Sequence, residues 1–571
     1  MSLIQFGARP LSTAQTRFTL WAPQARMVEL MRDGAAQTMQ RGETGLWTID
    51  ADAPAGSAYQ YRIDGETLVP DPASRAQQQD VHGPSLVVDL TYAWRHPDWR
   101  GRPLSETVIY ELHVGAMGGF AGVMAHLPRL AALGVTAIQL MPVADFPGRW
   151  NWGYDGVLPY APDAAYGTPA ELQALVDAAH GHGLQMFLDV VYNHFGPDGN
   201  YLHGYASDFF RADRATPWGD AIDFRRRAVR DFFIGNALQW VCDYRFDGLR
   251  FDAVHAIADK DFLHELAGAI RSATPGRHVH LILENEENDA SLIGGGPKNF
   301  DAQWDDDFHH CLHVLLIGEK DAYYEDFQGA ARLLARCLAE GFAYQGEPSP
   351  HAGGAPRGSD STGLPTSAFV ICLQNHDQVG NRAFGERLRA LAHPDALRAA
   401  VALLLFTPQI PMLFFGEESG ETTPFLFFTD HHDELRQAVT EGRRKEFAKF
   451  PAFSDPEVRE TIPDPNDPAS FEASRPHFPE TSWTAIYQNC LALRAREIAP
   501  GLQGCRSLGA QALGRHAVRA SWRMGDGSLL TLAANFGHEA VALQAAPGRQ
   551  LYGPPVTNSL PACTTCLWRG A

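Results

Sequence analysis

The sequence of 571 residues is short of positive charge, of cysteine and of long apolar runs. Lysine and arginine number 47 against 67 aspartate and glutamate, a formal charge of −20. Such a field repels phosphate backbones, which excludes a nucleic-acid partner and disfavours a polyphosphorylated substrate, though not a neutral one. No apolar run approaches the roughly 18–20 residues that cross a bilayer, so no membrane partner is expected. The opening residues, MSLIQFGARPLSTAQTRF, lack the charged start and apolar stretch of a secretory signal. The eight cysteines (Cys242, Cys311, Cys337, Cys372, Cys490, Cys505, Cys563 and Cys566) are scattered along the chain. That fits reduced thiols in a cytosol better than a disulfide framework, and a cytoplasmic location is expected. Only Cys563 and Cys566 have metal or redox spacing, with no second pair nearby to complete four ligands. No H-E-x-x-H pair occurs, and no EF-hand loop surrounds Asn193 or Asp305, Asp306 and Asp307, so no metal is assigned.

What is present is core-forming material: 45% hydrophobic residues, 11% aromatic, and 53 glycines, enough to exclude wholesale disorder. Residues 1–95 read as a small β-sandwich, with short strands at Phe18–Trp21, Met27–Met31, Trp47–Ile49 and Tyr59–Ile63 between Gly- and Pro-containing turns. Over 96–450, eight apolar runs (108–114, 135–143, 184–193, 246–254, 279–285, 299–304, 366–377 and 410–418) alternate with helical segments. One helix is marked by a stripe of Val123, Leu127, Leu130 and Leu133 ending at Gly134, and others are expected near 168–181, 225–242, 327–340 and 387–406. The Gly-rich interval between the fifth and sixth runs predicts a poor or missing helix. Near-continuous apolar strands separated by helices imply a parallel sheet, and eight of them most economically close into a TIM (β/α)8 barrel, an α/β fold with its chemistry at the C-terminal strand ends. Residues 346–364 predict a flexible surface loop by composition, and the seven prolines between 451 and 480 predict mostly extended coil within a segment 451–511. Short β-like runs over 512–571 predict a small C-terminal β domain.

The polar residues that end the apolar runs carry the chemistry. Asp189, Asn193 and His194 end the third, Arg250 and Asp252 the fourth, Glu284 the fifth, and Asn375, His376 and Asp377 the seventh. Any one of these could be a structural salt bridge; a rim supplied from four strands points to a site. Paired carboxyls suit acetal chemistry, one attacking the anomeric carbon while the other protonates the departing oxygen.

In their order and spacing, Asp189-Val-Val-Tyr-Asn-His194, Gly248-Leu-Arg-Phe-Asp252, Glu284 and Asn375-His-Asp377 resemble the four sequence regions of the α-amylase superfamily, glycoside hydrolase family 13. Further stretches resemble its trehalose-releasing trehalohydrolase branch: Asn151-Trp-Gly-Tyr-Asp-Gly156, Asp306-Asp-Phe-His-His310, Asn375-His-Asp-Gln-Val-Gly-Asn381 and Phe427-Phe-Thr-Asp-His431. The resemblance implies a carbohydrate-binding-like N-terminal domain, maltooligosyltrehalose and related α-glucans as substrates, and no organic cofactor. It implies Asp252 as nucleophile, Glu284 as general acid/base and Asp377 as transition-state stabiliser. It also implies substrate contacts from Tyr154, His194, Arg250, His255, Trp304, Asp306, Asp307, His310, Asn375 and His376, with Asp189 as partner of the arginine. Trp152 is the other favoured aromatic contact. Two departures stand out: Glu286 and Glu287 follow Glu284 and compete for the acid role, and Ser419 replaces a common tryptophan. Glu284 is preferred because it directly follows the apolar strand Leu281-Ile-Leu283. A branching or debranching enzyme of the same superfamily is the alternative, and a glycan-binding protein with a dead barrel is disfavoured by the complete carboxylate set.

Overall fold

The structure is a computed structural model describing residues 3–448 and 450–571. Two antiparallel sheets form the N-terminal domain. One runs Gly7–Pro10, Gln15–Trp21, Leu46–Asp52, Gln40–Arg41; the other runs Ala35–Thr38, Val28–Arg32, Ala58–Ile63, Thr67–Val69. Alternation along Ala58–Ile63 turns Tyr59, Tyr61 and Ile63 inward, where they meet Phe18, Leu20 and Trp47 from the facing sheet. The domain is packed directly on the barrel. Phe6 sits edge-on to Phe232 at 5.4 Å, Trp21 meets Phe209 at 5.3 Å, and the Arg75 guanidinium lies 4.8 Å over Tyr160.

Eight parallel strands close into the expected barrel in chain order: Ile109–Leu112, Ala137–Leu140, Gln185–Val190, Gly248–Phe251, His280–Leu283, Ala302–Trp304, Phe369–Cys372 and Ile410–Phe414. Closure is made by Ile109 and Tyr110 beside Met412 and Leu413. Ile109, Ala137, Phe187, Ile282, Ala302, Trp304, Val370 and Met412 fill the interior as one buried cluster, so the barrel is a packed core with its site confined to the rim.

The Val123–Leu133 stripe lies on the helix Gly119–Leu133, which ends on Gly134 in the left-handed conformation. Pro169–Gly181 starts with a capping box of Thr168 and Glu171. Between the fifth and sixth strands there is only the short turn Ala290–Leu292. Three long helices escaped the sequence reading, Lys260–Ala273, Asp306–Ile317 and Asp433–Phe447, and the helix expected over 387–406 is split, restarting with Pro394 at its first position.

Two further expectations are corrected. The Pro-rich stretch is not mostly extended: Pro456 and Pro468 each open a short helix, Pro456–Glu460 and Pro468–Glu472, behind the N-caps Asp455 and Asp467. Proline is favoured there because its missing N–H is needed by no partner. The segment 346–364 is likewise not a loose loop. It forms a small hairpin, Glu347–Pro348 with Pro356–Arg357, pinned by Ser349 on Asp326 (2.6 Å), Arg357 on Asp307 (2.8 Å) and Ser361 on the Glu340 carbonyl (2.7 Å).

The C-terminal sheet runs Arg506–Ala512, Ala517–Arg523, Leu529–Asn535, Thr564–Gly570, Arg549–Tyr552, so its first strand precedes the boundary expected at 512. Cys566 is buried within the strand Thr564–Gly570. Among the described residues, no helix is long and apolar enough to cross a membrane.

Candidate active site

The C-terminal strand ends open into a cleft of about 1010 Å³. At its floor is Arg250, fully buried on the fourth strand between three carboxylates. Its Nη1 donates to Asp189 at 2.7 Å and to Asp252 Oδ1 at 2.8 Å, while Nη2 lies 2.9 Å from Glu284 Oε2. Its guanidinium rests 4.1 Å from the ring centre of Trp304. One rigid, permanently charged fork thus fixes the nucleophile candidate and the acid candidate together.

Asp252, the residue after the fourth strand, also accepts from Asn193 Nδ2 at 2.8 Å. Both of its carboxylate oxygens are therefore engaged by donors. Glu284 follows the fifth strand and accepts from the Ala253 amide at 2.8 Å. Burial raises its pKa; the Arg250 charge pulls it back, and the neighbouring Asp252 pushes it up again, close enough to share a hydrogen bond with a protonated Glu284. A Glu284 carboxyl that holds its proton more tightly than usual is what a general acid requires.

Asp377 lies in the short helix His376–Gly380, capped by Asn375, whose side-chain oxygen accepts from the Asp377 amide at 2.9 Å. Beside it, His376 is clamped by Glu111: Nδ1 to Oε1 at 2.8 Å, and its backbone amide to Oε2 at 3.1 Å. Burial alone would lower the His376 pKa, but Glu111 outweighs it and raises the imidazole to about 9. An imidazolium therefore stands 3.7 Å from Asp377 Oδ1. Tyr154 stacks on the same imidazole at 5.1 Å and donates its hydroxyl to Asp189 at 2.8 Å. Burial holds the Asp189 carboxyl up at about 7.

The cleft wall exposes Tyr154, His194, Asp252, His255, Glu284, Asp306, His310, His376 and Asp377, as expected from the sequence. Four expected contacts lie behind it. Arg250 is covered by the carboxylates it holds. Trp304 points into the barrel interior with Ala302, because alternation along Ala302–Trp304 puts both on the inner face; it supports Arg250 and does not line the cleft. Asp307 is fully buried and occupied by Arg357, Asn288 (3.1 Å) and the Ala343 amide (2.9 Å). Asn375 is spent as the helix cap. Trp152 lines the cleft, its indole N–H fixed on the Leu426 carbonyl at 2.9 Å.

Glu286 and Glu287 also border the cleft, but their side chains are 73% and 60% exposed against 17% for Glu284, and Arg250 pairs only with the latter. Ser419 is buried in a tight turn with its hydroxyl on the Gly416 carbonyl, and does not line the cleft. Asp306 does, and its carboxyl is pushed up to about 8, by burial first and then by Glu284 and Asp377.

Three participants escaped the sequence reading. Glu111 sits inside an apolar strand, where one charge among hydrophobic neighbours was its only signal. Trp218 is 47% exposed and stacked 5.8 Å from His194; its Thr216-Pro-Trp-Gly219 turn was the available clue. Arg357, carried into the cleft wall by the hairpin, gave none.

Comparison with known proteins shows what the chain is similar to. Family models match the α-amylase catalytic domain over residues 105–236, the carbohydrate-binding module 48 (isoamylase N-terminal domain) over 5–78, and a C-terminal domain of unknown function, DUF3459, over 505–568. The chain is 41% identical to a malto-oligosyltrehalose trehalohydrolase of Deinococcus radiodurans, over 86% of this chain and 83% of the relative. A crystal structure of a Salmonella typhimurium protein superposes with a TM-score of 0.94 at 43% identity, covering 99% of both chains. A 1,4-alpha-glucan branching enzyme of Bordetella pertussis is more distant, 32% identical over 55% of this chain and 53% of its own.

Proposed function

The chain belongs to the malto-oligosyltrehalose trehalohydrolases of the α-amylase family, and from that membership we propose how its cleft releases trehalose. The substrate's α-1,4 bond next to the terminal trehalose unit lies across Asp252 and Glu284, with the maltooligosyl part held on the Tyr154 and His376 side. Asp252 attacks the anomeric carbon as the bond to the trehalose oxygen breaks, and the Glu284 proton passes to that oxygen, so trehalose leaves. Glu284, now a carboxylate, takes a proton from water; the water oxygen displaces Asp252 and frees a shortened maltooligosaccharide with its α configuration kept. The observation that carries this reading is the shared Arg250: it pairs with Asp252 at 2.8 Å and with Glu284 at 2.9 Å, and the two carboxyls lie within hydrogen-bonding reach of each other, which favours the close spacing of a retaining pair over the wider one that admits a water.

Asp377, which closes the third side, is assigned the role of stabilising the positive charge that develops on the sugar. His194, His255 and Trp218 supply hydrogen bonds and an aromatic platform for a ring at the cleavage point. The branching-enzyme alternative has no such support, since that relative spans only about half of the chain. The scattered cysteines support a cytoplasmic location. The experiment is a side-by-side assay on a defined maltooligosyltrehalose, the matching maltooligosaccharide and a branched glucan. Trehalose from the first, with little turnover of the other two, supports the proposal; new branch points, or faster cleavage of the branched glucan, overturn it.

A further inference from the structure

Away from the cleft, His82, Asp198 and His432 converge from three remote parts of the chain. His82 lies on the segment leaving the N-terminal domain, Asp198 on the loop after the third barrel strand, and His432 beyond the eighth. One donor atom from each falls within 4.8 Å of the other two, and among the described residues no other group of three or more His, Cys, Asp or Glu side chains does this. His82 Nε2 is 3.0 Å from Asp198 Oδ1, and His432 Nδ1 is 3.1 Å from Asp198 Oδ2. Two ligands each about 2.1 Å from a shared ion lie about 3.0–3.4 Å apart at right-angled to tetrahedral geometry, so these spacings are those of neighbouring ligands. The second nitrogen of His82 is bound to the Tyr201 hydroxyl at 2.7 Å, the outer hydrogen bond that orients a metal-ligating imidazole. The three side chains face a surface pocket of about 550 Å³ with Asp80 on its wall, leaving room for water as a fourth ligand and adding negative charge.

We propose that His82, Asp198 and His432 bind one divalent transition-metal ion of the zinc type, which ties the N-terminal domain to the barrel loops bordering the cleft. Two imidazoles and one carboxylate suit zinc, cobalt or nickel better than calcium or magnesium, which take all-oxygen sets. The competing arrangement uses the same atoms without an ion, Asp198 simply hydrogen-bonding two protonated imidazoles, and the test separates the two.

The full chain is stripped of metal with a chelator and titrated with zinc chloride by calorimetry, and with cobalt chloride by visible absorption. The expected result is one zinc ion per chain, cobalt bands from an imidazole-bound ion, and a rise in the thermal midpoint on adding zinc. His82→Ala and His432→Ala should each weaken zinc binding at least about 100-fold, and Tyr201→Phe about 10-fold. His82 and His432 are exposed and Tyr201 is half-buried, and near-ultraviolet circular dichroism together with unchanged hydrolytic activity of the metal-free variants confirms their fold. His182→Ala, an exposed histidine elsewhere, should bind as the unmodified chain does. No saturable binding up to about 100 μM zinc overturns the proposal. So does binding that survives in both His82→Ala and His432→Ala, or that is lost instead in Cys563→Ser.

Discussion

At the scale of single residues, the account rests on how Arg250 and Glu111 set the charge states around the scissile bond. Asp252→Asn removes the proposed nucleophile but keeps the shape, so turnover should fall by several orders of magnitude with an unchanged unfolding midpoint. Glu284→Gln should be similarly inactive, whereas Glu286→Gln and Glu287→Gln, whose carboxyls are largely in solvent, should stay within a few-fold of the unmodified enzyme. Steady-state kinetics on the four variants decide this. An inactive Glu286 or Glu287 variant beside a merely slow Glu284→Gln would reassign the acid. Glu111→Gln tests the second group. The Glu111–His376 pair stabilises the fold fully below the ordinary imidazole value near 6.5 and loses that contribution as pH rises through about 9. Without Glu111, burial should make His376 shed its proton well below 9, and kcat should fall at least about tenfold. Histidine NMR titration and a kcat measurement check both. The carboxylates and histidines were legible in the sequence because each ends an apolar run, where a strand must deliver its last side chain to the rim. Glu111, inside a strand, was not legible, and Trp304, which ends a run and was expected in the cleft, faces the barrel interior instead. Inside a strand, only the inward or outward phase decides a side chain's role, and that phase depends on how the barrel closes.

At the scale of elements, strands and the segments that fold over them behave differently. The eight barrel strands were readable because buried parallel strands need near-continuous apolar residues, and nothing in their local sequence argues otherwise. The hairpin over 346–364 was unreadable because its order comes from distant partners. Asp307 from the sixth strand's helix, Asp326 and the Glu340 carbonyl each take a donor from it, and composition does not encode such partners. Prolines misled in the opposite sense over 451–480, marking helix starts where they were read as coil. The hairpin carries a prediction. Arg357→Ala should leave the fully buried Asp307 carboxylate without its cation, with only the Asn288 and backbone donors remaining. The loss should be about 3 kcal/mol, the low end for breaking a buried pair. KM should rise as well, because the hairpin forms part of the cleft wall. Denaturant unfolding and steady-state kinetics read the two effects. A variant of full stability and unchanged KM would show that the hairpin is held by something other than this pair.

At the scale of the whole molecule, the N-terminal domain is part of the barrel's packing. Phe6, Trp21 and Arg75 cover Phe232, Phe209 and Tyr160, and one continuous buried cluster runs through both domains. A chain lacking residues 1–95 should therefore expose a large aromatic surface and aggregate or unfold without a cooperative transition. Calorimetry of the intact and shortened chains tests this, and a shortened chain that stays soluble with the intact chain's unfolding midpoint would contradict it. The central claim is that Arg250 brings Asp252 and Glu284 together as the retaining pair of a trehalose-releasing enzyme. Proton NMR of the first minutes of reaction on one defined maltooligosyltrehalose tests it most directly. Free trehalose should appear together with the α-anomer of the shortened maltooligosaccharide, and the β-anomer only later by mutarotation. A first-formed β-anomer, or a reducing sugar released without trehalose, would contradict the account.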